Sequence, residues 1–263
     1  MKIAAAQIAC TLCDRTANLR KMREFAAGAK EAGAALVLFP EMSDTGYAME
    51  VIRATATSWD TGAVPELKAI ARDLSLTIVS GVSEREADNI YNTQVVIGPE
   101  GEILGKYRKT HLFGPIGEDQ TCAAGACLTS IGLGSFVAGL TICYDLRFPE
   151  IYRLLAVDRG VNLFLNSSAW PFPRLEHLRV LATARAIENQ SYLVLANRVG
   201  RDNGAPFCGS SAIIDPYGVT IAAASPDREE LLVAEASLGL VASVRAKMPV
   251  FAHRRPELYR PQS

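Results

Sequence analysis

The sequence predicts a single α/β domain with more than one layer. Apolar segments with the length of β-strands alternate with amphipathic helical segments through most of the chain, a pattern typical of β-α-β units. The strand segments are continuous apolar runs rather than alternations of apolar and polar residues, which indicates sheets covered on both faces. The final part of the chain is richer in strands and tight turns. These observations favour sheets in the interior with helices outside them.

The first half of the chain alternates between the two kinds of element. Residues 16–33 form an amphipathic helix that Gly33 closes, and residues 64–75 form a second helix with Pro65 in its first turn. The remaining segments of this half are predicted to be extended, and a Pro-Glu-Gly turn at 99–101 leads into the last of them. The predicted strands here are 2–9, 35–41, 76–86, 89–99 and 102–109.

The second half continues with two further strand and helix pairs and ends in strands. The predicted helices are 148–160 and 173–190. The predicted strands are 134–143, 161–168, 191–200, 207–218, 219–225 and 230–238. A short helix and a polar tail end the chain. Because the tail at 251–263 is rich in arginine and contains prolines, it is not expected to form a core of its own.

Composition excludes several classes of protein. The chain has 263 residues, 49% of them hydrophobic and 21% charged, with a formal net charge of -1. This balance, without a run of lysine and arginine, argues against a nucleic-acid partner. No apolar run approaches the roughly 20 residues that span a membrane, and the N-terminus turns polar too soon for a secretory signal. We therefore expect a cytoplasmic protein that binds neither nucleic acid nor membrane.

Cysteine usage leaves one alternative open. The six cysteines do not resemble a disulfide framework. Cys10 and Cys13 form a C-x-x-C, which is compatible with a redox pair or with half of a zinc site. A zinc site needs about four ligands, usually as two close pairs, and the chain has no second C-x-x-C and only three histidines. We expect no metal, and we interpret these cysteines as thiols near the end of a strand.

Three segments end or interrupt a strand with a reactive side chain: Glu41 in LVLFPEMSDTGY, Lys109 in GKYRKTHLF and Cys143 in LTICYDLRFPE. Reactive groups collect at the carboxyl ends of strands in α/β sheets. A cysteine nucleophile needs a base for its proton and a positive group for the oxyanion, which Glu41 and Lys109 can supply. Each residue also has a structural explanation: a core cysteine, a loop-capping glutamate and a solvated lysine.

The three segments together resemble the signatures of the nitrilase superfamily of carbon-nitrogen hydrolases. FPE with a following GY is similar to the glutamate motif of that family, YRKTHLF to its lysine motif and CYDLRFPE to its cysteine motif, in the same order. The likeness continues through 166–200, GSSAIIDPYG and HRRPELY, so that it covers nearly the whole chain. The resemblance implies a four-layer α-β-β-α sandwich formed by one domain, residues 1–263.

The same resemblance implies roles for individual residues. Glu41 is the general base, Lys109 the oxyanion donor and Cys143 the nucleophile, with the backbone N–H of Tyr144 as a second oxyanion donor. A further glutamate of the family, in a G-E segment, corresponds to Glu118 in GPIGEDQTCAAG and is expected to orient Lys109 and the attacking water. The resemblance also implies that no cofactor is used. It further implies a homodimer or a dimer of dimers, with the tail at 251–263 packed across the two-fold interface.

Substrate recognition is the least determined feature. Family members often carry an acidic residue and an aromatic residue where this chain has Gly114 and Cys122, which indicates a wider or differently shaped pocket. The pocket-wall candidates are Tyr47, Phe113, Tyr144 and Trp170. Arg147 has two interpretations, since it either braces the turn together with Asp145 and Glu150 or binds a substrate carboxylate.

The predicted reaction is the hydrolysis of a small, linear amide through a cysteine thioester, with release of ammonia, as in the amidase and carbamoylase branches. The alternatives are an N-carbamoyl compound or a nitrile as substrate with the same three residues. A non-catalytic protein that binds a metabolite, and a thiol redox protein that uses Cys10 and Cys13, belong to other functional classes.

Overall fold

The computed structural model of this chain describes residues 1–259. Residues 260–263, the last part of the predicted tail, lie outside the described residues. In chain order the strands are β1 (Lys2–Gln7), β2 (Leu36–Leu38), β3 (Thr77–Glu86), β4 (Asn89–Ile97), β5 (Ile103–Arg108), β6 (Ser130–Leu133), β7 (Phe136–Ile142), β8 (Leu163–Ser168), β9 (Tyr192–Asn197), β10 (Arg201–Asp202), β11 (Ala205–Pro206), β12 (Ala212–Ile214), β13 (Thr220–Ala223) and β14 (Glu230–Glu235).

The described helices lie between these strands and after the last of them. They are α1 (Arg15–Glu31), α2 (Met49–Thr55), α3 (Ala63–Leu74), α4 (Glu118–Thr121), α5 (Pro149–Asp158), α6 (Leu175–Asn189) and α7 (Leu238–Lys247). Within residues 1–259, no helix has both the length and the apolar character needed to cross a membrane.

Two six-stranded sheets form the centre of the described chain. The first has the order β14-β1-β2-β3-β4-β5 and the second the order β13-β12-β9-β8-β7-β6. The strands β1, β2 and β3 run parallel in the first sheet, and β7, β8 and β9 run parallel in the second. The outer strands of both sheets pair antiparallel with their neighbours.

Alternate faces of each strand contribute to different cores, because successive side chains of a strand point to opposite sides. Ile3 and Ala5 of β1 belong to the core between the two sheets. Ala4 and Ala6 belong to a second core, in which α1 and α3 pack on the first sheet. The helices α5 and α6 cover the outer face of the second sheet. The order of layers is therefore helix, sheet, sheet, helix, and the predicted fold class is confirmed.

The ends of the long helices follow from local sequence. Asp14 caps α1, since its side chain accepts a hydrogen bond from the backbone N–H of Ala17 at 2.9 Å. Gly33 adopts a φ of 78° just beyond the end of this helix, a conformation that glycine reaches without steric cost. Gln190 ends α6 in the same left-handed region.

Several elements differ from the sequence-based expectation, among them the short α4, β10 and β11, which were not predicted. The helix α2 replaces a predicted irregular stretch, and it is anchored by Ile52, which packs against Met42 and Tyr47. The strand β6 is short and had no pattern that indicates a strand. The predicted strand 207–218 contains only β12, because Gly209 and Ser210 both have positive φ values and interrupt the extended backbone.

The two sheets meet where β2 and β8 end. The hydroxyl group of Ser167 in β8 donates a hydrogen bond to the carbonyl oxygen of Phe39, just after β2, at 2.8 Å. The carboxyl ends of strands from both sheets therefore face one shared region of the molecule. Glu41 follows β2 in this region, Lys109 follows β5 and Cys143 follows β7.

Candidate active site

The loop after β2 holds Glu41 in the interior. This loop lies so close to β3 that a Cβ on Gly81 would stand 2.5 Å from the Cα of Glu41, so only glycine fits at this point. Asp44 fixes the loop further along, since its carboxylate accepts hydrogen bonds from the backbone N–H and the hydroxyl group of Ser83 at 3.0 and 2.7 Å. The side chain of Glu41 has no solvent exposure, and its Oε2 accepts a hydrogen bond from the N–H of Ala169 at 2.9 Å.

Lys109 extends from the end of β5 towards two carboxylates. Its Nζ lies 2.8 Å from Oε1 of Glu41, and 3.0 and 2.8 Å from the two carboxylate oxygens of Glu118. All three side chains are fully buried. Glu118 opens the short helix α4, and its Oε2 also accepts a hydrogen bond from the N–H of Phe113 at 2.7 Å. The structure thus brings Glu41, Lys109 and Glu118 together.

Cys143 lies at the start of a tight 3₁₀ turn, Cys143–Arg147. Its φ of 43° is unusual for a residue other than glycine. Asp145 stabilises the turn, because its Oδ2 accepts hydrogen bonds from the N–H of Ile142 at 2.9 Å and from the hydroxyl group of Tyr107 at 2.8 Å. His111 Nδ1 lies 2.8 Å from the other oxygen of Asp145. The expectation that Asp145 braces this turn agrees with the geometry, whereas Glu150 is exposed at the start of α5.

The charges of the buried cluster set the protonation of its members. Burial opposes the charged form of Lys109, but the charges of Glu118 and Glu41 outweigh it and hold the lysine pKa well above its usual value. Burial raises the pKa of Glu41, while Lys109 lowers it and Glu118 raises it. The cluster thus places two carboxyl groups and one ammonium in the interior near Cys143.

Burial and the charge of Glu41 favour the neutral thiol of Cys143 over its thiolate. Burial is the largest cause of a pKa well above that of a free cysteine, the charge of Glu41 adds to it, and Lys109 opposes it only in part. The charge of Lys109 favours the thiolate, as would a helix N-terminus close to the sulfur. The thiol is favoured instead because burial and the charge of Glu41 outweigh Lys109, and because the turn Cys143–Arg147 separates the sulfur from α5. A cysteine in this environment needs a base to take its proton before it can act as a nucleophile.

A cavity of about 200 Å³ opens above Cys143. All four residues predicted for the pocket wall contribute to its lining: Tyr47, Phe113, Tyr144 and Trp170. The positions that depart from the family pattern, Gly114 and Cys122, are not among the described residues that line it. Cys122 lies behind Tyr47 in a buried apolar cluster.

Two arginines line the same cavity, and the guanidinium group of each lies over an aromatic ring. The guanidinium of Arg147 lies 4.8 Å from the centre of the Trp170 ring, and that of Arg174 lies 5.5 Å from the centre of the Phe113 ring. Arg147 Nη2 is 3.3 Å from His177 Nδ1. Among residues 1–259, neither arginine forms an ion pair with a carboxylate. Both guanidinium groups are therefore unpaired within the described residues, and Glu50 and Asp202 line the same cavity.

Sequence reasoning missed two groups of the site. Asn92, on β4, donates hydrogen bonds to Glu41 and Glu118, and the N–H of Ala169 reaches Glu41 across the junction of the sheets. Neither residue type is reactive, so their sequence positions carried no chemical signal. The strand pattern at 89–99 placed Asn92 on a strand without indicating which face of the sheet it occupies.

The C-x-x-C has the properties expected of structural thiols. Cys10 is buried and Cys13 is exposed. Burial raises the pKa of Cys10 above its usual value, although Arg198 opposes the shift, so its nucleophilic thiolate form is disfavoured. No group of three or more potential ligands among His, Cys, Asp and Glu is arranged to hold a metal ion in the described part of the chain.

Comparison with known proteins identifies the family. The model of the carbon-nitrogen hydrolase family matches residues 2–246. The chain belongs to this family. It is an enzyme that hydrolyses amide C–N bonds by way of a cysteine, as its sequence predicted. The 2-oxoglutaramate amidase of Bacillus subtilis (strain 168) is 36% identical over 244 residues, which cover 92% of this chain and 93% of that protein.

Two further relatives are informative. A protein of Pyrococcus abyssi named nitrilase is 33% identical and covers 98% of this chain and 99% of its own length. A structure of the amidase from Nesterenkonia sp. AN1, a variant with the acetamide moiety of fluoroacetamide added covalently at its active-site cysteine, superposes with a TM-score of 0.89. It is 30% identical and covers 100% of this chain and 97% of that one.

Replacing Glu41 with Gln is expected to lower the pKa of Cys143 and to abolish turnover. The carboxylate opposes a second negative charge beside it, so its removal makes the thiolate easier to form, while the base is lost. The ultraviolet absorbance of the thiolate, titrated against Cys143→Ala, measures the shift. Glu150→Gln, at an exposed carboxylate near the same turn, should titrate like the wild type. If the thiolate appeared at higher pH in Glu41→Gln than in the wild type, the expected effect of the Glu41 charge on the pKa of Cys143 would be contradicted.

Proposed function

We propose that this enzyme hydrolyses the amide of a small molecule that also carries a carboxylate, with Glu41, Lys109 and Cys143 as its catalytic triad. The observation that supports the proposal most directly is the thiol of Cys143 at the floor of the cavity, beside a buried carboxylate and a buried ammonium. Every step can be assigned to groups of this chain, so the proposal requires no cofactor.

The first half of the reaction acylates the cysteine. The sulfur of Cys143 attacks the carbonyl carbon and its proton passes to Glu41, which suits a thiol that is neutral at rest. The negative charge that develops on the carbonyl oxygen is stabilised by Lys109 and by the backbone N–H of Tyr144. The C–N bond then breaks as Glu41 returns the proton to the leaving nitrogen, and ammonia departs.

The second half releases the acid. A water molecule attacks the thioester and gives one proton to Glu41, the C–S bond breaks, and the proton returns to the sulfur of Cys143. Glu118 orients Lys109 and this water. The ammonium of Lys109 has three hydrogens to donate. It forms two hydrogen bonds with the carboxylate of Glu118 and one with that of Glu41. Exchanging one of these contacts for the substrate oxygen keeps the lysine bound to both carboxylates.

The cavity wall supports the substrate class. Tyr47, Phe113, Tyr144 and Trp170 provide an apolar surface for a short carbon chain. Arg147 and Arg174 provide guanidinium groups that match a carboxylate. We therefore assign to Arg147 the binding of a substrate carboxylate rather than the bracing of the turn. A relative named 2-oxoglutaramate amidase agrees with an ω-amide of a dicarboxylic acid as the substrate.

A second candidate is a nitrile or an N-carbamoyl compound. The relative of Pyrococcus abyssi named nitrilase supports the first of these. A nitrile would pass through a thioimidate and yield an acid and ammonia, whereas a carbamoyl compound would yield an amine, carbon dioxide and ammonia. The same catalytic groups serve all three reactions, so only the products distinguish them.

Ammonia release tests the proposed function. Purified enzyme is assayed with ω-amides of dicarboxylic acids, neutral aliphatic amides, N-carbamoyl compounds and nitriles. We expect the highest kcat/KM for an ω-amide, and no turnover for Cys143→Ala, which should fold normally because the change removes one small atom. Cys10→Ser and Cys13→Ser should retain activity. Full activity of a folded Cys143→Ala variant would refute the mechanism, and a large loss in either control would support the redox alternative.

Arg147→Met tests recognition of the carboxylate. We expect KM for the best ω-amide to rise on the order of tenfold or more, the scale of one hydrogen bond to a charged group, with little change for a neutral amide of similar length. Arg174→Met should likewise raise KM for the acidic substrate more than for the neutral one, by a factor no larger than that of Arg147→Met. Arg179→Met, at an exposed position of α6, serves as the control. Equal losses for acidic and neutral substrates would contradict the assignment.

We place the enzyme in the cytoplasm and treat residues 1–263 as one domain. All six cysteines are thiols, and two of them, Cys13 and Cys127, are exposed. Free exposed thiols suit a reducing compartment. The match to the family model over residues 2–246 supports a single catalytic domain.

The homodimer, or a dimer of dimers, uses the face formed by α5, α6 and the tail. Val180 and Ile187 of α6 are 63% and 50% exposed, and Leu154 of α5 is 47% exposed. The described part of the tail lies beside α5, since Phe251 packs 5.4 Å from the guanidinium of Arg153. Exposed apolar groups on one face are typical of a protein interface, and a second copy would cover both helices and the tail.

Val180→Glu is expected to weaken this dimer without unfolding the protomer, because the side chain is exposed. Sedimentation velocity at micromolar concentration should show a dimer or larger assembly for the wild type and a shift towards monomer for the variant. Ile103→Glu, at an exposed apolar position of the first sheet, should sediment like the wild type. A fully active wild-type monomer at that concentration would refute the assembly.

A further inference from the structure

Asn92 forms hydrogen bonds with all three residues of the buried cluster, with the carboxylates of Glu41 and Glu118 and with the backbone of Lys109. Its side-chain nitrogen lies 2.6 Å from Oε1 of Glu41 and 2.7 Å from Oε1 of Glu118. Its backbone carbonyl oxygen accepts a hydrogen bond from the N–H of Lys109 at 2.8 Å. The residue is fully buried on β4. A single neutral side chain thus links the predicted base to the second glutamate.

The contacts form a closed ring of four atoms in which donors and acceptors alternate. The two donors are Nζ of Lys109 and Nδ2 of Asn92, and the two acceptors are the Oε1 atoms of Glu41 and Glu118. Each acceptor receives one hydrogen from each donor. The ring therefore fixes the spacing of two carboxylates that would otherwise repel each other.

The orientation of the amide follows from this ring. Both neighbours of its nitrogen are carboxylate oxygens, which accept but do not donate when ionised. The amide oxygen is consequently turned away, and among the described residues this buried atom has no hydrogen-bond partner. An unpaired buried oxygen costs free energy, so the two contacts to carboxylates outweigh the contact that the oxygen lacks.

Charge explains why an amide suits this position. Two carboxylates and one ammonium leave one unit of negative charge in a region without solvent. An aspartate at position 92 would add a further negative charge, and a second cation would neutralise the base. The amide supplies two hydrogens and no net charge, so it stabilises both ionised carboxylates and leaves Glu41 able to accept a proton.

We propose that Asn92 is a positioning residue that keeps Glu41 ionised at neutral pH and holds it in register with Cys143. The proposal rests on the proposed function, in which only ionised Glu41 can take the proton of the thiol. Hydrogen bonds to the charged form of a carboxyl group lower its pKa, and the bond from Asn92 acts on Glu41 in this direction.

The other titratable groups around Glu41 do not change charge below neutral pH. Burial raises the thiol pKa of Cys122 to about 12, and burial likewise holds the pKa values of Cys143 and Tyr47 well above their usual range. The two glutamates raise the pKa of Lys109. Proton uptake on the acid side is therefore assigned to Glu41, whose pKa burial raises.

The pH dependence of kcat/KM tests the proposal. Without the hydrogen bond from Asn92, Glu41 should bind a proton at higher pH, so the acid limb should move to higher pH by on the order of one unit or more in Asn92→Leu. Asn92→Ser, which keeps one donor, should shift less and provides the test if the leucine variant does not fold. An unshifted acid limb in a folded variant would overturn the proposal.

Gln94→Leu is the matched control. Gln94 is a second buried amide on the same face of β4, and it donates to Ser167 and to the carbonyl oxygen of Leu165 rather than to the glutamates. This variant should lose stability but retain the wild-type acid limb. An equal shift in Gln94→Leu would show that loss of any buried amide on this strand has the same effect and would overturn the specific role of Asn92.

Infrared titration separates this proposal from the proposed function, because it requires no substrate. The carbonyl band of a protonated buried carboxyl group should appear at higher pH in Asn92→Leu than in the wild type, and it should weaken when Glu41→Gln is added. An enzyme without amidase activity that still shows this shift would refute the proposed function and leave the role of Asn92 supported. An unchanged band would overturn the role of Asn92 even if the enzyme hydrolyses amides.

Discussion

The ammonium of Lys109, buried between the carboxylates of Glu41 and Glu118, is the interaction on which the site depends. Charged groups without solvent are tolerated only when they are paired and hydrogen-bonded, and removal of one partner from such a set costs about 3–5 kcal/mol. The three residues come from different parts of the chain, and Nζ of Lys109 lies 2.8 to 3.0 Å from the carboxylate oxygens of the two glutamates. Burial, together with the charge of Glu41, raises the pKa of the Cys143 thiol beside this group, and Lys109 opposes the shift only in part.

The sheets make this convergence possible. The strands β2 and β8 end side by side, and the loop of Glu41 is pressed against Gly81 of β3. The turn at Cys143 is held from the other direction by Asp145, which is bonded to Tyr107 of β5. The strand that supplies Lys109 is therefore tied to the turn that supplies the nucleophile. Rigid strand ends keep reactive groups in register more accurately than mobile loops do.

Chemistry and recognition are separated in the molecule. The ionised groups lie below the floor of the cavity, without exposure to solvent. The wall above them is formed by aromatic side chains that support Arg147 and Arg174. A change in the wall can alter which molecule is bound while the buried cluster stays the same.

The sequence by itself determined the family, the layered α/β fold and the candidates Glu41, Lys109, Cys143 and Glu118, because apolar runs, helix ends and strand-end motifs are local. Its strand boundaries were less accurate where the backbone is irregular, as at Gly209. Only the tertiary structure decided that Asn92 joins the two glutamates and that burial raises the pKa of the Cys143 thiol. Both depend on which groups lie next to each other across two sheets, and the electrostatic energy of a buried charge is set by those neighbours rather than by its position along the chain.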